Sequence, residues 1–221
     1  MPTLREILIA HSPVLVLDAA SSQVQIGWLE FETATATPTP RMSARWEQSA
    51  DEATTAVFAG LSRLGRNPGD ANAFVFCDGP GSVLGIRTVA MAIRTWNVLR
   101  PRPVFAYCSL ALVAHTLGRS DTSVIADARR DTWHHYQIGR GLRRVPASEL
   151  SGELVMPENF RHWSALPANV TRVPYFVAEL LPRTVDADQF QPTDNPDAFL
   201  HEEPNYVAWT PQIHRAPGER I

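Results

Sequence analysis

The stretch Phe74-Val75-Phe76-Cys77-Asp78-Gly79-Pro80-Gly81-Ser82-Val83-Leu84-Gly85-Ile86-Arg87 decides the fold. Its first four residues are apolar and predict a strand, and Gly79-Pro80-Gly81 lets the backbone turn sharply where a side chain would obstruct it. Ser82 is placed to cap a helix along which Ile86, Val89, Ile93 and Trp96 recur at helical spacing, as a core-facing stripe does. Pro101 and Pro103 stop that helix. A strand, a glycine turn and a helix N-terminus can together meet an anion through free backbone N–H groups and the positive helix end. The same pattern also arises when a strand-to-helix turn needs glycines merely to close.

Working outward, 221 residues with 44% hydrophobic content are enough for one large or two small self-supporting domains. A net charge of -3 gives no overall electrostatic reason to bind nucleic acid, so RNA contact is expected only through a partner. Cys77 and Cys108 are the only cysteines, without metal-ligand spacing, which fits a reducing compartment and small core residues. Leu4 to Ala20 is interrupted by Glu6, His11, Pro13 and Asp18, so neither a membrane span nor a signal peptide is expected, and the chain reads as cytoplasmic. Residues 1–12 read as a short extension.

Val14 to Leu17 is a continuous apolar run that ends at Asp18, a polar turn follows, and Gln23 to Trp28 alternates as a returning strand. Asp18 can tie that turn through its side chain. Residues 33–46 predict a loop leading to an edge strand near Met42 to Trp46, and Ser49-Ala50-Asp51-Glu52 predicts a capping box. The helix that follows has a stripe of Ala53, Val57, Gly60/Leu61 and Leu64 and a stop at Gly65, with Ala56 and Gly60 small enough for a second helix to approach. Phe58 lies off that stripe, and Arg87, Met91, Arg94 and Val98 line a neighbouring face of the next helix; each face is either solvated or a docking surface.

Val104 to Ala106 predicts a strand, and Ser109 a cap for a helix from Leu110 to Leu117 that Gly118 ends. Ser123 to Arg129 and Asp131 to Ile138 then repeat the strand hairpin. Beyond Tyr136 only Val170 to Leu181 is patterned, as a strand near Val173-Pro174-Tyr175 and a helical stretch that Pro182 ends. His134 and His135 are adjacent and point to opposite faces of a strand, so they cannot easily share a metal. Ser82 sits outside a G-x-S-x-G context, and the turn lacks a Walker lysine.

Gly79-Pro80-Gly81-Ser82-Val83-Leu84-Gly85-Ile86-Arg87 resembles the G-P-G-S-F-T-G-L-R signature of the TsaB (YeaZ) family, with Val83 and Leu84 departing. Asp18 resembles the aspartate of the family's D-T-A opening, with Ala19 for Thr; Asp127-Ala128-Arg129 resembles its D-A-R segment; Glu203-Pro204-Asn205-Tyr206-Val207 resembles its E-P-x-Y-L-R tail, with Ala208 for Arg. The resemblance implies an actin-like (ASKHA, ribonuclease H-like) duplicated α/β fold, with an intact first lobe over 1–120, a reduced second lobe over 121–210 and a tail over 211–221. It implies a non-catalytic subunit that docks on and activates TsaD in making threonylcarbamoyladenosine at position 37 of tRNA. A TsaE-type ATPase is a further implied partner, and the chain would form a homodimer when alone. No cofactor of its own is implied, with ATP or ADP placed at the interface with TsaD and no metal; Asp18 and Asp127 would be vestiges of a nucleotide or metal site. The implied partner residues are Phe58, Arg87, Met91 and Arg94, and the loop motif is Gly79, Pro80, Gly81, Ser82 and Gly85. The alternatives are a stand-alone kinase or ATPase of the same fold and a diverged homodimer that no longer meets TsaD. TsaD itself carries an H-x-x-x-H pair, which this chain lacks.

Overall fold

β1 (Val14–Asp18) is buried at every position, as a strand must be when it is flanked by strands and covered on both faces. It pairs antiparallel with β2 (Val24–Glu32) and parallel with β4 (Ala73–Gly79). β3 (Arg41–Ser49) extends the hairpin, β5 (Val104–Cys108) lies beside β4, and the order across the sheet from β5 is β5-β4-β1-β2-β3. The computed structural model describes residues 1–32 and 41–199.

The second sheet repeats this plan. β6 (Ser123–Asp127) pairs antiparallel with β7 (Thr132–Gln137) and parallel with β9 (Leu154–Pro157), β8 (Gly141–Pro146) lies beyond β7, and β10 (Val170–Val173) lies beyond β9. Its order, β10-β9-β6-β7-β8, is that of the first sheet with each strand replaced by its counterpart. The outer layer differs. The first half carries α2 (Ala53–Leu64), α3 (Val83–Leu99) and α4 (Ser109–Leu117), whereas the second has a three-residue 3-10 turn between β8 and β9, a loop between β9 and β10, and α5 (Val177–Arg183). The last strand, β11 (Phe190–Pro192), returns to the first sheet and pairs antiparallel with β5.

Alternation along β1 and β4 divides the core. Leu15, Leu17, Phe74 and Phe76 face α2 and α3, while Val14, Val16, Val75 and Cys77 join the cluster that runs through α4 into the second half.

Several local expectations give way. Residues 1–12 are not a mere extension: α1 (Leu4–His11) is held by a Thr3–Glu6 capping box and buries Leu4, Ile7 and Leu8. The capping box expected at Ser49–Glu52 is absent, because Ser49 still belongs to β3 and its hydroxyl serves Asp51, leaving Glu52 as an N-cap without a side-chain bond. Gly60 admits Ile26 of β2 rather than a helix; a Cβ there would lie 2.7 Å from Ile26 Cδ1. Ser109 is the first residue of its helix, and its hydroxyl donates to the Pro80 carbonyl instead of capping. The late strand falls at 170–173 rather than 173–175, Pro182 lies inside α5, and β8, β9 and β11 are strands that composition leaves unmarked. Gly65 and Gly118 end their helices in the left-handed conformation, as predicted.

Candidate functional site

The ends of β1 and β6, the first strands of the two halves, open on one cleft of about 620 Å³. The β1–β2 turn and the start of α3 form one wall; the β6–β7 turn and the β9–β10 loop form the other.

The glycine motif builds the first wall by close approach. A Cβ at Gly81 would lie 2.3 Å from the Ala20 carbonyl oxygen, and one at Gly85 would lie 2.4 Å from that of Ala19. The Ser82 N–H donates to the Ala20 carbonyl at 2.7 Å, while Ser82 Oγ accepts from the Gly85 N–H at 3.4 Å as the N-cap. Two of the amides that could have met an anion are therefore used in closing the turn. Gly79 has φ of 130°, a region that favours glycine, and its carbonyl-side neighbour Pro80 is anchored by Ser109.

Asp18 does not open into this cleft. It is fully buried; Oδ1 accepts from the Ala20 N–H at 2.9 Å, and Oδ2 accepts from the hydroxyls of Tyr107 at 2.6 Å and Tyr175 at 2.7 Å. Burial raises its pKa against these hydrogen bonds, and the tyrosine hydroxyls are pushed well above their ordinary value by burial and by the neighbouring carboxylate. Asp127, its counterpart on β6, does line the cleft. Oδ1 accepts from the Arg129 N–H at 2.5 Å, and Oδ2 accepts from the Trp163 and Ser164 N–H groups at 2.6 and 2.7 Å. Partial burial pushes its pKa upward, but those backbone donors prevail and hold it below the usual carboxylate range. Both carboxylates are engaged at both oxygens, so this donor set does not fit a metal. Among the described residues no group of three or more His, Cys, Asp or Glu side chains is placed to hold one.

The cleft rim is cationic and aromatic. Arg87, Arg129 and Arg161 line it, and the Arg129 guanidinium lies 4.3 Å from the centroid of the exposed Trp163 ring. His134 faces this cleft, whereas His135 is buried against Ser123 Oγ at 2.9 Å; burial and the nearby Arg143 lower its pKa. Asp78, at the end of β4, is pushed up to about 7 by burial. Cys77 is buried and Cys108 half-buried, with burial pushing the Cys108 thiol up to about 12.

A second feature lies on α2 and α3. Phe58 is 58% exposed, Met91 56% and Val98 84%, and Leu84 and Leu99 are also exposed. Phe58 meets Trp96 edge to face at 6.5 Å, which ties the two helices. Arg87 and Arg94 are each within 3.6 Å of Asp197, whose neighbour Phe199 donates its N–H to the Asp78 carbonyl at 2.7 Å.

No protein-family model matches the chain, and neither does any curated protein. Among solved structures, an uncharacterized protein with similarity to peptidase YeaZ from Pseudomonas aeruginosa superposes with a TM-score of 0.51 at 18% identity, over 80% of this chain and 94% of that one. The chain has a YeaZ-like fold. YeaZ from Pseudomonas aeruginosa matches over 66% of this chain and 76% of its own at 20% identity and a TM-score of 0.48, and Thermus thermophilus RuvC over 48% and 69% at 13% identity and a TM-score of 0.32. In this YeaZ-like fold Gly81 and Ser82 of the expected loop line one cleft with Asp127, whereas Gly79, Pro80 and Gly85 do not line it; Phe58, Arg87, Met91 and Arg94 lie on the helical face, Arg87 touching both. No helix among the described residues is long and apolar enough to cross a membrane.

Tyr107, Tyr175, Arg161, Trp163 and Asp197 carry no motif that would announce them. The tail resemblance at 203–208 and the tail over 211–221 lie outside the described residues.

Proposed function

We propose that this chain is a non-catalytic subunit of the machinery that makes threonylcarbamoyladenosine on tRNA, docking on a TsaD-type protein through α2 and α3 and activating it. The observation that carries this reading is the row Phe58, Met91 and Val98, large apolar groups left in water on two adjacent helices whose other faces fill the core. Such a row matches the core of an interface, and the guanidinium groups of Arg87 and Arg94 beside it suit the rim. The engaged state of Asp18 and Asp127 supports a role without chemistry of its own. The same face would pair two copies when the partner is absent, with a TsaE-type ATPase and ATP or ADP joining at the shared interface and tRNA reaching this chain within the assembly.

Size-exclusion chromatography of the chain mixed with TsaD from the same genome tests this. A one-to-one complex is expected, lost on Met91→Asp and on Arg94→Glu. If the wild type stays apart from TsaD with ATP and TsaE present, the docking reading fails, and a self-pairing that Met91→Asp disrupts would identify the homodimer instead. The cleft favours a second reading, a stand-alone nucleotide-using enzyme, which ATP turnover by the isolated chain would reveal.

A further inference from the structure

The net charge of -3 conceals an uneven distribution. All twenty cationic side chains are arginine, and seven of them, Arg129, Arg130, Arg140, Arg143, Arg144, Arg161 and Arg172, fall within residues 129–172. Several arginines of the first half are paired with carboxylates, as in Arg63–Glu47, Arg66–Glu30 and the Asp197 pairs of Arg87 and Arg94. Among the described residues Arg129, Arg130 and Arg161 are exposed and form no ion pair.

Two of these belong to a turn of unusual shape. Arg129, Arg130 and Asp131 have φ of 65°, 51° and 55°, three successive side-chain-bearing residues in the left-handed region, each costing about 1–2 kcal/mol. Asp127 Oδ1 holds the Arg129 N–H, the Thr132 N–H donates to the Arg129 carbonyl, and the Ala147 N–H donates to that of Asp131. Asp127 Oδ2 fixes the Trp163 backbone from the other side, so one carboxylate positions both Arg129 and the 62% exposed indole on which it stacks. The β9–β10 loop that presents Arg161 and Trp163 stands where the first half has α3.

We propose that this rim, Arg129 and Arg161 with Trp163, together with the exposed Arg130 that follows Arg129 in the same turn, binds the phosphate backbone of an unpaired stretch of nucleic acid, the indole taking a base. Guanidinium forks match phosphate oxygens, and an exposed aromatic beside them supplies the π-face that unpaired bases stack on. A free nucleotide presents the same phosphates, but the cations here run along an exposed rim, and Asp127, the aspartate that lines the cleft, is already engaged at both oxygens, which favours a strand that tracks across the surface. The proposal goes beyond the docking reading and does not depend on it: Arg129, Arg130, Arg161 and Trp163 belong to the second half, whereas Phe58, Met91 and Val98 lie on α2 and α3, and Arg87, which touches both, is not part of the proposed site.

Fluorescence anisotropy with a labelled twelve-nucleotide oligouridylate, a labelled blunt RNA duplex and a fluorescent ADP analogue tests it on the isolated chain. The single strand is expected to bind, with affinity falling linearly in log salt; Arg129→Glu combined with Arg161→Glu should weaken it at least tenfold and flatten the salt slope by about 1.4. Trp163→Ala should weaken the single strand about fivefold or more while leaving any duplex binding unchanged. Arg45→Glu, the same reversal at one exposed residue of β3 and half the charge change of the double variant, should cost well under half of its loss in log affinity, and Arg129→Lys should retain most of the binding. Thermal melts of each variant establish that it is folded. The proposal is overturned if the single strand does not bind at 50 mM salt, if Arg45→Glu weakens it as much as the rim variants, or if stoichiometric ADP analogue displaces it. Met91→Asp should leave RNA binding intact, so a failure here is distinct from a failure of docking.

Discussion

The Tyr175 hydroxyl donates to Oδ2 of Asp18 at 2.7 Å, joining positions 157 residues apart in the chain. Tyr175 follows β10 of the second sheet, Asp18 ends β1 of the first, and Tyr107 of β5 completes the arrangement. Gln25 reinforces the junction: its amide donates to the Tyr175 carbonyl, and its oxygen accepts from the Val177 N–H. Removing one hydroxyl leaves a buried carboxyl with fewer donors. Tyr175→Phe is expected to cost about 1–3 kcal/mol, and Tyr107→Phe a similar amount, read from urea unfolding at pH 7. A double variant that loses no more than either single one would show that the two hydroxyls do not share the load.

Asp78 sets a pH dependence of defined sign. Its folded pKa, about 7, lies above the ordinary 3.8, so the folded state holds this proton more tightly than the unfolded one. The associated stability is fully present below about pH 4 and is lost as pH rises to about 7, by up to ~4 kcal/mol. Unfolding free energies of the wild type and Asp78→Asn from pH 4 to 8 should differ in slope, the variant lacking this loss. Parallel curves would remove the assignment.

Two glycines separate crowding from conformation. A Cβ on Gly81 meets the Ala20 carbonyl at 2.3 Å, whereas one on Gly65 meets nothing within 4 Å and only strains a φ of 61°. Gly81→Ala should therefore cost more than 2 kcal/mol, because backbone must move, and Gly65→Ala about 1 kcal/mol. Thermal denaturation of the pair measures the contrast.

The Asp197 pairs are half-exposed and long, at 3.6 Å to Arg87 and 3.5 Å to Arg94. Asp197→Asn should change stability by less than about 1 kcal/mol in denaturant titration. Its effect is expected on the face of α3 instead, where both guanidinium groups would be released to meet an acidic partner.

The first half was legible because its signals are local. Ser82, Gly65 and Gly118 act within one or two turns of the chain, and the Ile86, Val89 and Ile93 stripe needs only helical geometry to declare itself. Ser49 misled because a serine three residues before a glutamate fits a capping box, while strand pairing with Val24 claimed it for β3. The second half hid its plan. β8 and β9 are short, and Arg143 and Arg144 on β8 break the apolar run that would mark a strand, so the duplication emerges only from pairing order. Of the site, Asp18 and Asp127 were visible as strand ends, but Tyr107 and Tyr175 reach Asp18 through tertiary structure alone.

β11 gives the molecule a laced topology. Phe190, Gln191 and Pro192, far along the chain, cover the outer edge of β5, and Phe190 is fully buried against Tyr107 there. Cutting the chain between the two sheets would not release two independent units: the first would be left with the unpaired N–H and C=O groups of an apolar edge, ready to recruit a strand from a neighbour. The two halves repeat one plan, yet only together do they close it.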